Sequence, residues 1–287
     1  MTIWTTFAPR AREESSPRGL FLFAPVGRRG GAARQRCFWP HSVWGRGKAK
    51  ADMDIDRQIE QAKQLVASKF KGKHYIAYFQ SFTNTYGDID RLRDIYRKAA
   101  MRSDIAVISI ATRPDCLGNQ VIDMLRDIQR IKPVWVELGL QTIHEETAKF
   151  INRGYPISVY DEAVKKLRNL GVHVIVHMIL GLPGETQRDM IETAEYIGKS
   201  GAQGIKLQLL HVLKGTNLAE LYQNGECSVL SLEDYTECVV SCLKVLPPDM
   251  VIHRLTGDGP KKLLIAPLWS ADKKKVMNTI NAAVRQA

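Results

Sequence analysis

The stretch His177–Met178–Ile179–Leu180–Gly181–Leu182–Pro183–Gly184–Glu185–Thr186 decides the fold. An apolar run from Val172 to Leu180 ends in a Gly-Leu-Pro-Gly turn, and Glu185–Thr186 then opens a helix. A strand that is apolar on both faces, closed by a tight turn and followed by a helix, is the signature of a buried parallel strand in a βα unit. The glycines of the turn let a ligand lie against the main chain.

Working outward, the same unit recurs. Asp54–Lys71 reads as an amphipathic helix, followed by strand His74–Gln80 and helix Asp88–Met101. Strand Ile105–Ala111 precedes helix Gly118–Arg130, and strand Val134–Leu140 precedes helices Glu145–Ile151 and Val159–Leu170. Strand Val172–Leu180 precedes helix Gln187–Ser200, and strand Ile205–Leu210 precedes helix Leu232–Lys244. Strand starts recur about every 30 residues, as βα units require. Five units are visible, which predicts a partial (βα)6 barrel with one strand lost or disguised. An open doubly wound sheet is the alternative.

Alternation along each strand separates its two faces. In Trp135–Val136–Glu137–Leu138–Gly139–Leu140–Gln141, the residues Val136, Leu138 and Leu140 face the helices, so Glu137, Gly139 and Gln141 point inward. An inward carboxylate is costly unless it is paired or wetted. Gly139 leaves room for a ligand. Tyr78 and Gln80, Ser109 and Arg113, and Lys206 and Gln208 fall on the inward side by the same rule. Such residues gather at the C-terminal edge, where barrels build their sites. Arg113 is suited to holding a carboxylate; a core ion pair of Glu137 with Arg113 or Lys206 is the competing explanation. The polar loop Gln80–Tyr86 is either a turn bonded to its own backbone or a ligand-facing loop. His173 and His177 read as packed or hydrogen-bonded rather than as metal ligands.

Composition restricts the remaining options. Over 287 residues the net charge is +11. Residues 1–50 hold ten Lys/Arg and two Asp/Glu, so the remainder carries only +3. That placement argues against a nucleic-acid surface on the main domain. No apolar run reaches the ~18 residues of a membrane span. Five cysteines form no secretory disulfide framework and fit a reduced, cytoplasmic setting.

Residues 1–48 form a distinct segment, rich in Arg, Gly, Pro and Ala and holding Trp4, Trp39 and Trp44. No strand or helix period persists there, and the expectation is disorder. A transit peptide and a basic nucleic-acid-binding arm are weaker readings than a reading-frame error upstream of about Ala49. The domain expectation is therefore a non-native segment over 1–48, a barrel core over 49–246, and a C-terminal extension over 247–287 that packs on the barrel.

Six motifs then occur in order: YFQSFTNTY (Tyr78–Tyr86), ISIATRPDC (Ile108–Cys116), VELGLQT (Val136–Thr142), NRG (Asn152–Gly154), HMILGLPGET, and IKLQLLHVLKGTNL (Ile205–Leu218). Together they resemble the YhcC-type proteins of the radical S-adenosylmethionine (SAM) superfamily, relatives of the Elongator catalytic subunit and of oxygen-independent coproporphyrinogen oxidase. The resemblance spans residues 50–287. It implies a TIM-like radical SAM barrel, a [4Fe-4S] cluster that cleaves SAM to a 5′-deoxyadenosyl radical, an electron donor such as flavodoxin or ferredoxin, and a substrate that the sequence does not name. By resemblance, Gln80, Ser81, Thr83 and Asn84 meet the amino-acid part of SAM. Glu137, Gln141 and Arg153 hold its ribose and carboxylate, and Ile179, Gly181, Leu182 and Gly184 receive the adenine. Arg113 and Gln208 complete the implied cofactor-binding set.

One departure is large. The superfamily holds its cluster with three cysteines, usually spaced C-x3-C-x2-C after the first strand, with a longer first gap in some relatives. Before Ala49 this chain has one cysteine, Cys37, in Arg36–Cys37–Phe38–Trp39–Pro40–His41. Cys238 and Cys242 form a C-x3-C pair without a third member and read as helix core. Cys116 is placed at the edge of the site and Cys227 in a loop. No metal ligand set is predicted, and the family reaction is expected to be disabled, with any radical-SAM role held by descent. The competing function is a non-catalytic barrel remnant that binds a nucleotide or, weakly, RNA. A barrel hydrolase finds no His–Asp–nucleophile set. The Gly-rich stretch His253–Pro260 lacks a P-loop pattern; it resembles the C-terminal tail of the family, which implies that it closes the barrel beside the substrate.

Overall fold

In the computed structural model, the described residues are 20–22, 54–67, 72–80, 83–257 and 259–287. Five βα units run through the centre: β2 (Tyr75–Phe79) and α2 (Ile89–Met101), β3 (Ile105–Thr112) and α3 (Asn119–Gln129), β4 (Val134–Gln141) with α4 (Glu145–Phe150) and α5 (Ile157–Asn169), β5 (His173–Leu180) and α6 (Gln187–Lys199), and β6 (Gly204–Leu209) with α7 (Asn217–Gln223) and α8 (Leu232–Val245). They are preceded by β1 (Leu20–Leu22) and α1 (Ile55–Val66). A two-residue strand β7 (Val212–Leu213) follows β6, and the chain ends with β8 (Val251–Arg254), β9 (Leu264–Ala266) and α9 (Lys273–Gln286). The predicted elements are all present, most with ends shifted by a few residues; α1 stops well short of Lys71. Among the described residues, no helix is long and apolar enough to cross a membrane.

The main sheet is parallel throughout, in the order β1-β2-β3-β4-β5-β6-β8. This order never reverses, whereas a doubly wound sheet must reverse at its switch point. The sheet is also curled. Strands β2 and β6 are four steps apart, about 19 Å in a flat sheet, yet Tyr78 Oη and Lys206 Nζ lie 3.3 Å from each other. The rings of Trp135 on β4 and His253 on β8 meet at 5.5 Å. A partial barrel is the geometry that brings these inner faces together.

Two strands differ from expectation. Leu20–Leu22 pairs in parallel with Ala77–Phe79, inside the segment where no strand is predicted; a three-residue apolar patch is too short to show a period. Val251–Arg254 joins the sheet beside Gly204–Lys206. The C-terminal extension therefore supplies a barrel strand as well as packing on the barrel. β8 escapes prediction because it is four residues long and half polar.

The outer face of the sheet packs as predicted. Val136, Leu138 and Leu140 are wholly buried, with Val174, Val176 and Met178 of β5 beside them and Met124, Leu125, Tyr160 and Leu167 from the helices. Local chemistry fixes the helix starts. Asp88 accepts from Arg91 N at the start of α2. Thr186 and Asp189 form a reciprocal capping box at the start of α6. Cys238 and Cys242 are buried on α8 against Met190, as helix core.

Candidate functional site

Strand register builds the site in layers. Tyr78 lies beside Ser109, Ala111 beside Glu137, Gly139 beside His177, His177 beside Lys206, and Ile179 beside Gln208. Because neighbouring residues in register share a face, one inward layer collects polar side chains from five consecutive strands.

Glu137 is the centre of that layer and is buried. Its Oε1 accepts from Ser109 Oγ at 2.9 Å. Its Oε2 accepts from Tyr78 Oη at 2.8 Å, from His177 Nε2 at 2.6 Å, and from Lys206 Nζ. Lys206 Nζ also lies over the Tyr78 ring, 4.5 Å from its centroid. Gln208 Nε2 approaches His177 Nδ1 at 3.0 Å. An amide nitrogen only donates, so Nδ1 is the acceptor and Nε2 carries the proton given to Glu137. The partner of Glu137 is Lys206, one of the two cations weighed from the sequence.

Electrostatics follow from this packing. Burial alone pushes the Glu137 carboxyl up, but the His177 hydrogen bond and the Lys206 charge hold it well below the usual carboxylate range. Burial pushes His177 down against the pull of Glu137 and keeps the imidazole neutral. Burial also lowers Lys206, opposed by Glu137 and reinforced by Arg254. Tyr78 is raised by burial and by the adjacent carboxylate. The inner layer is thus a carboxylate held by four protein donors.

Around this centre lies a rim. At Gln141 the β4–β5 register breaks and φ is +72°. The Gln141 Oε1 is buried and has no hydrogen-bond partner. A Cβ on Gly139 would sit 2.9 Å from Gln141 Nε2, so glycine is what leaves this amide its space. Arg153 is buried and organises the β4–α5 connection, donating to Tyr155 O at 3.0 Å, Thr142 O at 2.6 Å and Glu145 Oε1 at 2.9 Å. The Tyr155 ring lies between Arg113 and Arg153, with guanidinium carbons 5.1 and 4.9 Å from its centroid. Ile179 and Leu182 belong to a second apolar cluster with Ile151, Leu210 and Val212. Gly181 and Gly184 have φ near +85°, and Leu230 packs against the first of them.

Some expected residues are engaged elsewhere. Arg113 grips a carboxylate from its own loop, donating from Nε and Nη2 to Asp115 at 2.9 and 2.8 Å; this two-residue return was invisible to strand parity. Asn84 is fully buried and ties β2 to β3 through Phe79 O and Ala111 O, the turn-type role weighed for that loop. Gln80 and Thr83 are half-buried at the end of β2, and Ser81 lies outside the described residues. His173 is exposed at the first position of β5, because it precedes the covered part of the strand. Arg254 was missed with β8: it pairs in register with Lys206 and acts on Tyr78, His177 and Lys206.

Among the described residues, no three cysteines converge. Cys238 and Cys242 are in the helical layer, while Cys116 and Cys227 are partly exposed. Cys37 lies outside the described residues. Cys116 lines a cleft of about 420 Å³ with Thr85, Tyr86, Gly87, Asp115 and Gly118; none of these residues touches Glu137. The trio His144, Asp189 and Glu192 brings metal-ligating atom types within 4.8 Å, but His144 Nε2 lies 2.9 Å from Asp189 O and the Asp189 side chain caps α6.

Comparison with known proteins gives consistent results. A family model described as "Radical SAM superfamily" matches residues 37–197, and "Radical_SAM C-terminal domain" matches residues 202–286. The chain is 45% identical over 228 residues to "Uncharacterized protein YtqA" of Bacillus subtilis, covering 79% of this chain and 71% of that one. It is 33% identical over 252 residues to "Protein YhcC" of Escherichia coli, covering 88% and 81%. In fold it resembles the archaeal Methanocaldococcus infernus Elp3, with a TM-score of 0.65 at 19% identity over 77% of this chain and 59% of that one.

Proposed function

The chain belongs to the radical SAM superfamily, and from that membership we propose that its barrel mouth binds S-adenosylmethionine. The observation that carries the reading is the Gln141 amide, whose buried Oε1 lacks a donor. A buried acceptor without a partner costs about 1–3 kcal/mol, and a ribose hydroxyl or an ammonium group satisfies it. Gly139 keeps the space beside that amide. Ile179 and Leu182 offer an apolar wall for the adenine, and the Gly181–Gly184 turn offers backbone. Arg153 acts by holding the Thr142–Tyr155 connection in shape, since its donors are taken by protein acceptors. Glu137 acts in the same way, fixing Tyr78, Ser109, His177 and Lys206 beneath the ligand.

In this superfamily, bound SAM supplies a 5′-deoxyadenosyl radical once a reduced [4Fe-4S] cluster cleaves it. The cysteines of this chain do not match that cluster. Its sequence contains no C-x3-C-x2-C, and of the four described thiols Cys238 and Cys242 meet in the helical layer while Cys116 and Cys227 are partly exposed elsewhere. We therefore read this chain as a SAM-binding member in which the radical reaction is disabled.

Two measurements test these halves. Equilibrium dialysis with labelled SAM is expected to show binding that Gln141→Ala weakens about tenfold, the loss of one good hydrogen bond. Full binding by Q141A, or none by the parent chain, rejects the site. Anaerobic reconstitution is expected to leave the chain without stoichiometric iron and sulfide. A brown chain with the absorbance of a [4Fe-4S] centre rejects the disabled reaction.

A further inference from the structure

Charge inside the barrel does not balance. Glu137 is the one buried carboxylate among the described residues, and four protein donors occupy its oxygens. Two cations belong to the same layer. Lys206 is bonded to Glu137. Arg254 is beside Lys206 in the β6–β8 register and is close enough to Tyr78, His177 and Lys206 to bias all three. Arg254 is half-buried, and its guanidinium makes no hydrogen bond or ion pair with any described residue. The other arginines near the site differ in this respect: Arg113 is forked onto Asp115 and Arg153 is bonded three times.

A half-buried guanidinium without a counter-ion is unfavourable unless something completes it. Its planar fork matches a two-oxygen anion, in a site where water competes less than at an open surface. Strand β8 is also the last in the sheet, beyond β6 and away from the β4–β5 rim assigned to SAM. Immediately after β8, the segment through Gly257 and Gly259 folds against His211 at the end of β6. Lys261 and Lys262 follow it, exposed on the turn that leads into β9, and Lys214 leads out of the paired strand β7. These lysines add exposed positive charge to the segments around β7 and β9, and positive potential of this kind draws anions toward a surface.

We propose that Arg254 anchors an oxyanion subsite inside the barrel, which takes a phosphate or carboxylate group of a second ligand. This rests on the barrel being a ligand site, whereas the anion subsite itself needs neither SAM nor a cluster.

The test is thermal unfolding of the full chain in inorganic phosphate, in malonate, and in sodium chloride at matched ionic strength. Phosphate or malonate is expected to raise Tm by about 3 °C over chloride; the anion that does so identifies the oxyanion. Arg254→Gln is expected to abolish the rise. Arg254→Lys, which keeps the charge and loses the fork, is expected to retain less than half of it and serves if R254Q does not fold. Arg188→Gln, on an exposed surface, is expected to respond like the parent. An equal rise in R254Q or R254K and the parent, or no rise in the parent with either anion, overturns the subsite and makes Arg254 a solvated edge residue. An Arg254-dependent rise in a chain that fails to bind SAM rejects the SAM site alone; SAM binding without the rise rejects the anion subsite alone.

Discussion

The two parts of the barrel interior differ in how far the protein satisfies its own polar groups. Around Glu137, the donors Tyr78, Ser109, His177 and Lys206 all end on one carboxylate. At the rim, Gln141 Oε1 is buried without a partner, and the half-buried Arg254 guanidinium is bonded to no described residue. Both parts are polar, inward and on adjacent strands, so polarity alone does not mark a ligand site. Saturation does: a completed network positions its members, and an incomplete one is what a ligand completes.

The strongest way to break this contrast is to remove the centre. Glu137→Ala leaves Lys206 buried without its partner, and urea unfolding is expected to show a loss of about 3–5 kcal/mol. Replacing both, as E137L with K206M, is expected to cost far less than the two single changes summed. Additive losses would show that the pair is not coupled. On the outer face of the same strand, Leu138→Ala is expected to cost about 3 kcal/mol by cavity formation, with no change in the anion response.

Acid sharpens the contrast with a smaller effect. His177 lies below its ordinary 6.5, and His253 is lowered to about 4. The unfolded chain therefore takes up protons that the folded chain refuses. Stability is expected to be nearly full above pH 7 and to fall by about 3 kcal/mol toward pH 4. Glu137, held below its ordinary 4.5, adds a further loss beneath that. His177→Gln is expected to flatten the first part of the curve; an unchanged curve would place the proton uptake elsewhere. The smallest effect is at the rim. Gln141→Gly removes a positive-φ cost and is expected to gain about 1 kcal/mol in urea unfolding, while SAM binding weakens. A gain in stability with unchanged SAM binding would mean that the strained residue has no ligand role.

Much of this was legible from alternation alone. Val136, Leu138 and Leu140 outward and Glu137 inward follow from a period of two, and so does the meeting of Tyr78, Ser109 and Lys206; between Arg113 and Lys206 as the partner of Glu137, alternation left the choice open, and the structure gives Lys206. Alternation reports a face, however, and not where a long side chain ends. Arg113 is placed by its strand but aimed by the Pro114–Asp115 turn, which returns a carboxylate to it. Asn84 looks like any loop asparagine until β2 and β3 are set side by side. Arg254 was illegible because a four-residue strand has no period to read, and its importance arises only when β8 pairs with β6 and sets it beside Lys206.

The Tyr78–Lys206 contact has a further consequence. Backbone ladders tie each strand to its immediate neighbours, so force or fluctuation passes along the sheet one strand at a time. Glu137 adds a tie that spans the hollow, gripping β2, β3, β5 and β6 with one side chain. Amide hydrogen exchange in these strands will therefore share a single opening event rather than fraying inward from the β1 and β8 edges. A half-barrel that lacks the closing ladder of a full one obtains its hoop strength from a carboxylate.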